Sequence, residues 1–292
     1  MSNKMKTSPI QRQLNEYLNY CELVRVMSKQ TMVSKKHILT HFSKECGVSD
    51  LQEFDNQKMN KWIASQVASG ITGRTVNGRM NHVVTMIKYH REMGMIIPIK
   101  LPLVSKVPER PPRRKFYTRE QIEKVLKVSN DIEWLLIRIK FDTGMRLSEL
   151  TNLRLVNFNG HEVKYIGKGS KARKSFICED THKRLQEYCE EYKIDDFLWR
   201  SPASRKGLPY STDEIRYIMR RPFYAVGFMD FYPHALRHSF GTDIQKNGAT
   251  VAEAQQLLGH SKIETTERYL HGLDDKLEEL FAKYKRFTPA TV

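Results

Sequence analysis

Six side chains between positions 146 and 269 form a set suited to phosphoryl transfer: Arg146, Lys168, His234, Arg237, His260 and Tyr269. A phosphodiester under attack gathers negative charge on its non-bridging oxygens. Two guanidiniums with imidazole donors can hold that charge through paired, charge-assisted hydrogen bonds. His234 and Arg237 are three residues apart, the spacing of one helix face. A tyrosine hydroxyl has a pKa near ~10, so only about one in a thousand is ionised at neutral pH. As a nucleophile Tyr269 therefore needs cations around phosphorus and a nearby imidazole to take its proton.

Elements long enough to position such a set must come from a chain of 292 residues, which is more than one ordinary core and implies two domains. With 40% hydrophobic and 28% charged residues the composition is that of a globular protein. The formal net charge of +16 and pI near 9.6 attract polyanions by counterion release, so nucleic acid is the expected partner. Apolar runs such as 134–137 are too short to span a bilayer, and the polar start at 1–8 has no cleavable leader, so a cytoplasmic protein without membrane association is expected. Cys21, Cys46, Cys178 and Cys189 are scattered, without the close pairs a zinc or dithiol site needs, and read as reduced thiols. No cofactor or metal is expected.

The first hundred residues read as short helices. Leu14, Leu18, Cys21 and Val24 keep the spacing of one buried face, followed by helical stretches 33–42, 59–67 and 76–93. The expected organisation is a four-helix domain over 1–105, a Pro-rich basic linker over 106–116 and a second domain over 117–292. In the linker, Lys106, Arg110, Arg113, Arg114 and Lys115 face one acid, Glu109, a density suited to lying along phosphates. In the second domain, Thr118 to Gln121 is a capping box, Gly144 stops an amphipathic helix over 132–141, and Arg146 opens a short helix. Alternation over 161–168 and 174–178 around Gly167 to Ser170 predicts a β-hairpin. The fold class expected is mainly α with a small β-hairpin or sheet. Helices return from Asp180, and capping boxes at Thr250–Glu253 and Ser261–Glu264 flank Gly259, placing His260 in a helix-to-helix corner. Trp62, Trp134 and Trp199 stand among apolar neighbours and are expected in cores.

The runs Thr143-Gly-Met-Arg-Leu-Ser-Glu-Leu150, Gly167-Lys-Gly-Ser-Lys171, Pro233-His-Ala-Leu-Arg-His-Ser-Phe240, Leu257-Leu-Gly-His-Ser261 and Thr265-Thr-Glu-Arg-Tyr269 together resemble the tyrosine recombinase, or phage integrase, family. Five motifs in family order are specific, whereas H-x-x-R alone is not. The N-terminal region resembles that family's core-binding domain, a SAM-like four-helix module, only in length and helical texture; the second half would be its α+β catalytic domain. The resemblance implies a site-specific DNA recombinase in which Tyr269 attacks the scissile phosphate, leaving a 3′-phosphotyrosyl link and a free 5′-hydroxyl, without metal or ATP. Arg146 and Arg237 would grip the phosphate, His234 would take or orient the proton, and His260 would be a further donor. The leaving 5′-oxygen needs a proton, and Lys168 matches the family's hairpin lysine, with Lys171 the alternative. Glu149 would brace Arg146.

Further implications are paired short DNA sites of inverted-repeat type and a homotetramer on double-stranded DNA, linked through an apolar tail face at Leu273, Leu277, Leu280 and Phe281. The absence of room for an arm-type DNA-binding domain before the helical module favours a compact, Xer-like recombinase over an accessory-rich integrase. Mobile-element integration, transposition and dimer resolution stay open. Candidate DNA contacts are Arg74, Arg79, Lys88, Arg110, Arg113, Arg114, Lys171 and Arg173, with Arg216, Arg220 and Arg221 as further cations. Two other classes compete: a metal-dependent transposase, which needs a carboxylate set that is not apparent, and a DNA-binding protein that kept the scaffold without the reaction.

Overall fold

The computed structural model describes residues 8–101, 106–109, 115–167, 171–200, 208–258 and 279–284. The chain divides into two compact units, residues 1–112 and 113–292.

In the first unit, α1 (Pro9–Leu23), α2 (Lys29–Glu45), α3 (Asn56–Ala68) and α4 (Gly73–Glu92) surround one apolar core. The first three begin where local chemistry dictates. Pro9 opens α1, Ser28 accepts the Thr31 amide at 3.3 Å, and Asp55 accepts the Lys58 amide at 2.8 Å. All three helices predicted as stretches begin earlier than expected, and α2 and α3 also end later, because apolar spacing marks only the turns that face the core. Val24, expected on the buried face of α1, lies past its end and is 66% exposed. Phe42 meets Phe54 and Trp62 edge-on, and the three close the middle of this core. The stretch 106–109, read as linker, packs back on α4. The Asn77 amide donates to the Val107 carbonyl at 2.9 Å and accepts the Val107 amide at 3.0 Å, satisfying the backbone of a proline-flanked segment.

In the second unit, α5 (Arg119–Lys127), α6 (Asp131–Thr143) and α7 (Leu147–Thr151) precede a three-stranded antiparallel sheet, β1 (Phe158–Asn159), β2 (Glu162–Ile166) and β3 (Ala172–Phe176), in the order β1-β2-β3. Then come α8 (Glu179–Glu191), α9 (Thr212–Ala225), α10 (His234–Lys246), α11 (Val251–Leu257) and a helical piece over residues 279–284. The predicted hairpin is β2 with β3; the two-residue β1 was not legible because it is too short to alternate.

The helix α6, expected to be amphipathic, is buried on every side from Leu135 to Thr143 and packs against α8, α9 and α10. Its charged residues are satisfied internally. Arg138 donates to Asp180 at 2.7 and 2.9 Å and to the Thr181 hydroxyl at 3.1 Å, and Asp142 accepts the Cys178 amide at 3.0 Å and the Thr181 hydroxyl at 2.6 Å. This network locks α8 and the end of β3 to α6. Trp199 is fully buried and donates to the Leu150 carbonyl at 2.7 Å; Trp134 sits at the core edge with Arg184 over its ring.

Of the apolar tail face, the structure describes only the last part. Leu280, Phe281 and Tyr284 are buried against Phe176, Phe240, Ile244 and Leu257 of their own unit, and Tyr284 donates to Glu253 at 3.2 Å. Leu280 and Phe281 are therefore not an open face in the single chain, while Leu273 and Leu277 lie outside the described residues. Among the described residues no helix is long and apolar enough to cross a membrane.

Gly144 caps α6 in the left-handed conformation, φ +62°, and a β-carbon there would sit 2.7 Å from Phe240 Cδ1 and 2.9 Å from Leu258 Cδ2. Gly144→Ala combines a disfavoured φ with two collisions, so thermal unfolding should show a loss of about 2 kcal/mol or more. A melting temperature equal to the parent's would contradict this account of the turn.

Candidate active site

The turn from α6 into α7 is the floor of the site. Arg146 stands just before α7 with extended backbone, and Glu149 grips it twice, accepting its amide at 2.6 Å and its guanidinium at 3.0 Å. The Glu149 carboxylate is nearly inaccessible, whereas the Arg146 side chain stays one-third exposed. One face of that guanidinium is fixed and the other is available.

Arg237, in the second turn of α10, is buried beneath it. Its fork donates to the Gly144 carbonyl at 2.6 Å and to the Leu258 carbonyl at 2.8 Å. Burial first, and then the neighbouring Arg146, lower its pKa to about 10, which still leaves it cationic at neutral pH. Leu258 also accepts from Arg173 of β3 at 3.4 Å, so two guanidiniums hold the end of α11.

His234 begins α10, one turn from Arg237 on the same helix face, and its ring meets His238 edge-on at 4.6 Å between centroids. Burial leads, followed by its neighbours His238, Lys140, Arg237 and Arg146, in holding its pKa well below the ordinary imidazole value. The ring also meets solvent, so it is the sign of the shift that matters: the imidazole is neutral at pH 7 and can accept a proton.

Two residues that pattern reading missed complete the floor. Lys140, fully buried in α6, donates to the Met145 carbonyl at 2.5 Å. The Gly144 and Met145 carbonyls are thus each held by a cation, which sets the direction in which the chain enters Arg146. Burial foremost, and then Arg237, lower the Lys140 pKa to about 7, with Glu149 opposing. A lysine between Ile139 and Phe141, in a run that is apolar but for it and Arg138, was the available signal. Tyr165, on β2 opposite Arg173, is raised to about 12 by burial first and Glu149 second.

Lys140→Met should trade activity for stability in a pH-dependent way. With its folded pKa held below 10.5, the folded chain binds fewer protons than the unfolded one between about pH 7 and 10.5, so this group's cost to stability is full below that window and fades as pH rises through it. Relative to the parent, the Met variant should be most favoured below pH 7 and lose a few kcal/mol of that advantage by high pH. Strand cleavage should fall about tenfold as the Arg146 turn loosens. A stability difference that does not change with pH would rule out the buried charge.

The structure thus brings together Arg146, Glu149, His234 and Arg237. Lys168, His260 and Tyr269 lie outside the described residues, as do Arg110, Arg113 and Arg114. Lys171 is exposed at the foot of the hairpin turn, where its carbonyl accepts the Gly167 amide at 2.8 Å. In the first unit Lys88 is exposed, Arg74 pairs with Glu109 at 3.4 Å, and Arg79 donates to Gln66. Lys115 is engaged by Asp230 and Arg221 by Glu133, so both are braces within the second unit, and Arg216 pairs with Asp213.

Residues 115–276 match the profile of the phage integrase family, more than half of the chain. The chain belongs to the phage integrase family. Its enzyme class is that of the tyrosine-type site-specific recombinases, and its mainly helical fold with a three-stranded sheet is the fold of their solved structures. Among curated relatives, tyrosine recombinase XerC of Staphylococcus epidermidis is 26% identical over 282 residues, covering 91% of this chain and 94% of that protein. The XerC of Treponema denticola is 28% identical over 295 residues, covering 91% and 95%. Among solved structures, the XerH recombinase in a post-cleavage complex with a palindromic difH substrate superposes with a TM-score of 0.68 at 18% identity, covering 97% of this chain and 99% of that one. A lambda integrase tetramer bound to a Holliday junction gives a TM-score of 0.70 at 15% identity, covering 88% and 79%.

Proposed function

We propose that this integrase-family chain cuts and rejoins DNA on paired short sites through a 3′-phosphotyrosyl intermediate, with no metal or ATP in the reaction. The observation that carries the proposal is the pairing of Arg146 and Arg237 over one pocket floor, each guanidinium pinned on one side, beside an imidazole held neutral. A phosphodiester fits it because its two non-bridging oxygens need two cationic forks, and a pinned fork needs little reorganisation during the reaction.

In the step proposed, the Tyr269 oxygen bonds to phosphorus as its proton passes to His234, and the bond from phosphorus to the 5′-oxygen breaks as Lys168, or Lys171, supplies a proton to that oxygen. His260 donates to a non-bridging oxygen. The ester keeps the energy of the broken bond, so a 5′-hydroxyl from a partner strand can reverse the step. Arg74, Arg79, Lys88, Arg110, Arg113, Arg114, Lys171 and Arg173 contact the DNA in this reading, and a homotetramer assembles on the paired sites. Leu280 and Phe281 are covered by their own unit, so in this reading a tail contact between protomers uses other residues of the tail.

A metal-dependent transposase would need a carboxylate set, and the buried Asp142 and the Arg119-paired Asp243 are committed to internal partners. The test is a nicked suicide substrate incubated with the chain in excess chelator and run on a denaturing gel. A covalent protein–DNA band mapping to the 3′ side of the cut is expected. Cleavage that vanishes with the chelator would overturn the mechanism.

A further inference from the structure

Away from the arginine pocket, the second unit gathers one set of metal-type donors among the described residues: His161, Glu179 and His182, whose ligand atoms all lie within 4.8 Å of one another. Glu179 and His182 are three apart on the first turn of α8, and so project from one face. His161 occupies the turn between β1 and β2, and its carbonyl accepts the Ile177 amide at 2.9 Å, which fixes that turn against the end of β3 just before α8 begins. His161 Nε2 lies 3.0 Å from Glu179 Oε2, and the two imidazole rings are 4.8 Å apart.

We propose that His161, Glu179 and His182 bind one zinc-like divalent cation that ties the base of the β2–β3 hairpin to the start of α8, apart from the strand-transfer chemistry.

Two imidazole nitrogens and one carboxylate oxygen are a donor set suited to zinc, with water completing the coordination. At metal–ligand bonds of ~2.0–2.2 Å, tetrahedral ligands stand roughly 3.4 Å apart, so donors already this close need shifts of about 1 Å or less. Those shifts are rotameric, because the His161 and Glu179 side chains are 45% and 82% exposed while their backbones are held by the strand and the helix. Asp180, the next carboxylate, is committed to Arg138 and is not a fourth ligand. The positive end of α8 opposes a cation and the Glu179 charge offsets it, which points to micromolar rather than tighter affinity.

The site is remote from the pocket along the hairpin. The five residues of β2 span about 17 Å between His161 and the turn that Lys171 closes. An ion at the base restrains the strand pair whose far end carries that lysine, without entering the reaction.

The experiment uses the full chain, stripped with chelator and dialysed, then titrated with Zn²⁺ by calorimetry and with Co²⁺ by visible absorption. A single ion per chain with micromolar affinity is expected, and His161→Gln and His182→Gln should each weaken it about tenfold or more, since each removes one of three ligands. Both variants should melt as the stripped parent does and retard DNA as it does, which separates loss of the ion from loss of the fold. In hydrogen exchange, Zn²⁺ should protect amides over 158–166 in the parent and not in His182→Gln. Unaltered uptake in both variants would assign the ion elsewhere and overturn the proposal, as would no uptake at sub-millimolar Zn²⁺.

Discussion

Arg237→Lys is expected to lower strand cleavage by roughly 10²–10³-fold while leaving DNA retardation near the parent's. The loss follows from shape rather than charge. The Arg237 fork spans two carbonyls from distant parts of the unit, Gly144 at the end of α6 and Leu258 at the end of α11, and so holds its remaining donors in one plane. A lysine presents its donors from a single nitrogen on a shorter side chain, so it cannot reproduce the planar fork that reaches both carbonyls from two nitrogens. It would also lose its proton more readily, because the burial and the Arg146 charge that lower the arginine's pKa act on an amine with a lower starting value. Arg237→Ala should be worse in a second respect: the buried Gly144 carbonyl loses its donor and the Leu258 carbonyl keeps only Arg173, a cost of about 1–3 kcal/mol for the orphaned carbonyl, and the melting temperature should drop as well. Single-turnover cleavage of a nicked site, read beside a gel shift, separates the two effects. A lysine variant within tenfold of the parent would remove Arg237 from the phosphate-binding role.

Tyr269→Phe is expected to abolish the covalent protein–DNA band altogether, with retarded complexes retained. The substitution deletes one oxygen and keeps the ring, so a packing role would leave the band intact. Among the described residues, Tyr165 is a phenol in electrostatic contact with both arginines, and it is poorly suited to substitute. Burial and Glu149 push its pKa to about 12, so its ionised fraction at neutral pH is about a hundredfold below that of an ordinary tyrosine. Tyr232, beside the His234 turn, is occupied in accepting the Lys115 amide at 3.3 Å. Tyr165→Phe should therefore keep the band and Tyr269→Phe should lose it. The reverse pattern would falsify the nucleophile assignment.

Local rules were legible where local chemistry decides. The capping boxes at Thr118 and Thr250, the stop at Gly144 and the hairpin around Gly167 all depend on residues within a few positions of one another, and the structure contains each. The fold class followed from these elements and from the resemblance. The buried character of α6 was harder, because Arg138, Lys140 and Asp142 read as a polar face until their partners on α8 and in the Met145 turn are known. The cover of the tail's end was illegible for the same reason: an apolar face shows that something covers it, not that Leu280 and Phe281 meet Phe176 and Leu257 of the same unit.

By itself the sequence determined the candidate residue types, their order, and the helix and strand boundaries that caps and turns encode, since those depend on covalent neighbours. Only the tertiary structure decided that Arg237 is held by Gly144 and Leu258, that Glu149 is sealed beneath Arg146, and that a buried lysine underlies the turn between them. Those contacts join backbone carbonyls to side chains far along the chain. A carbonyl looks the same at every position of a sequence, so only its place in space shows which cation it holds.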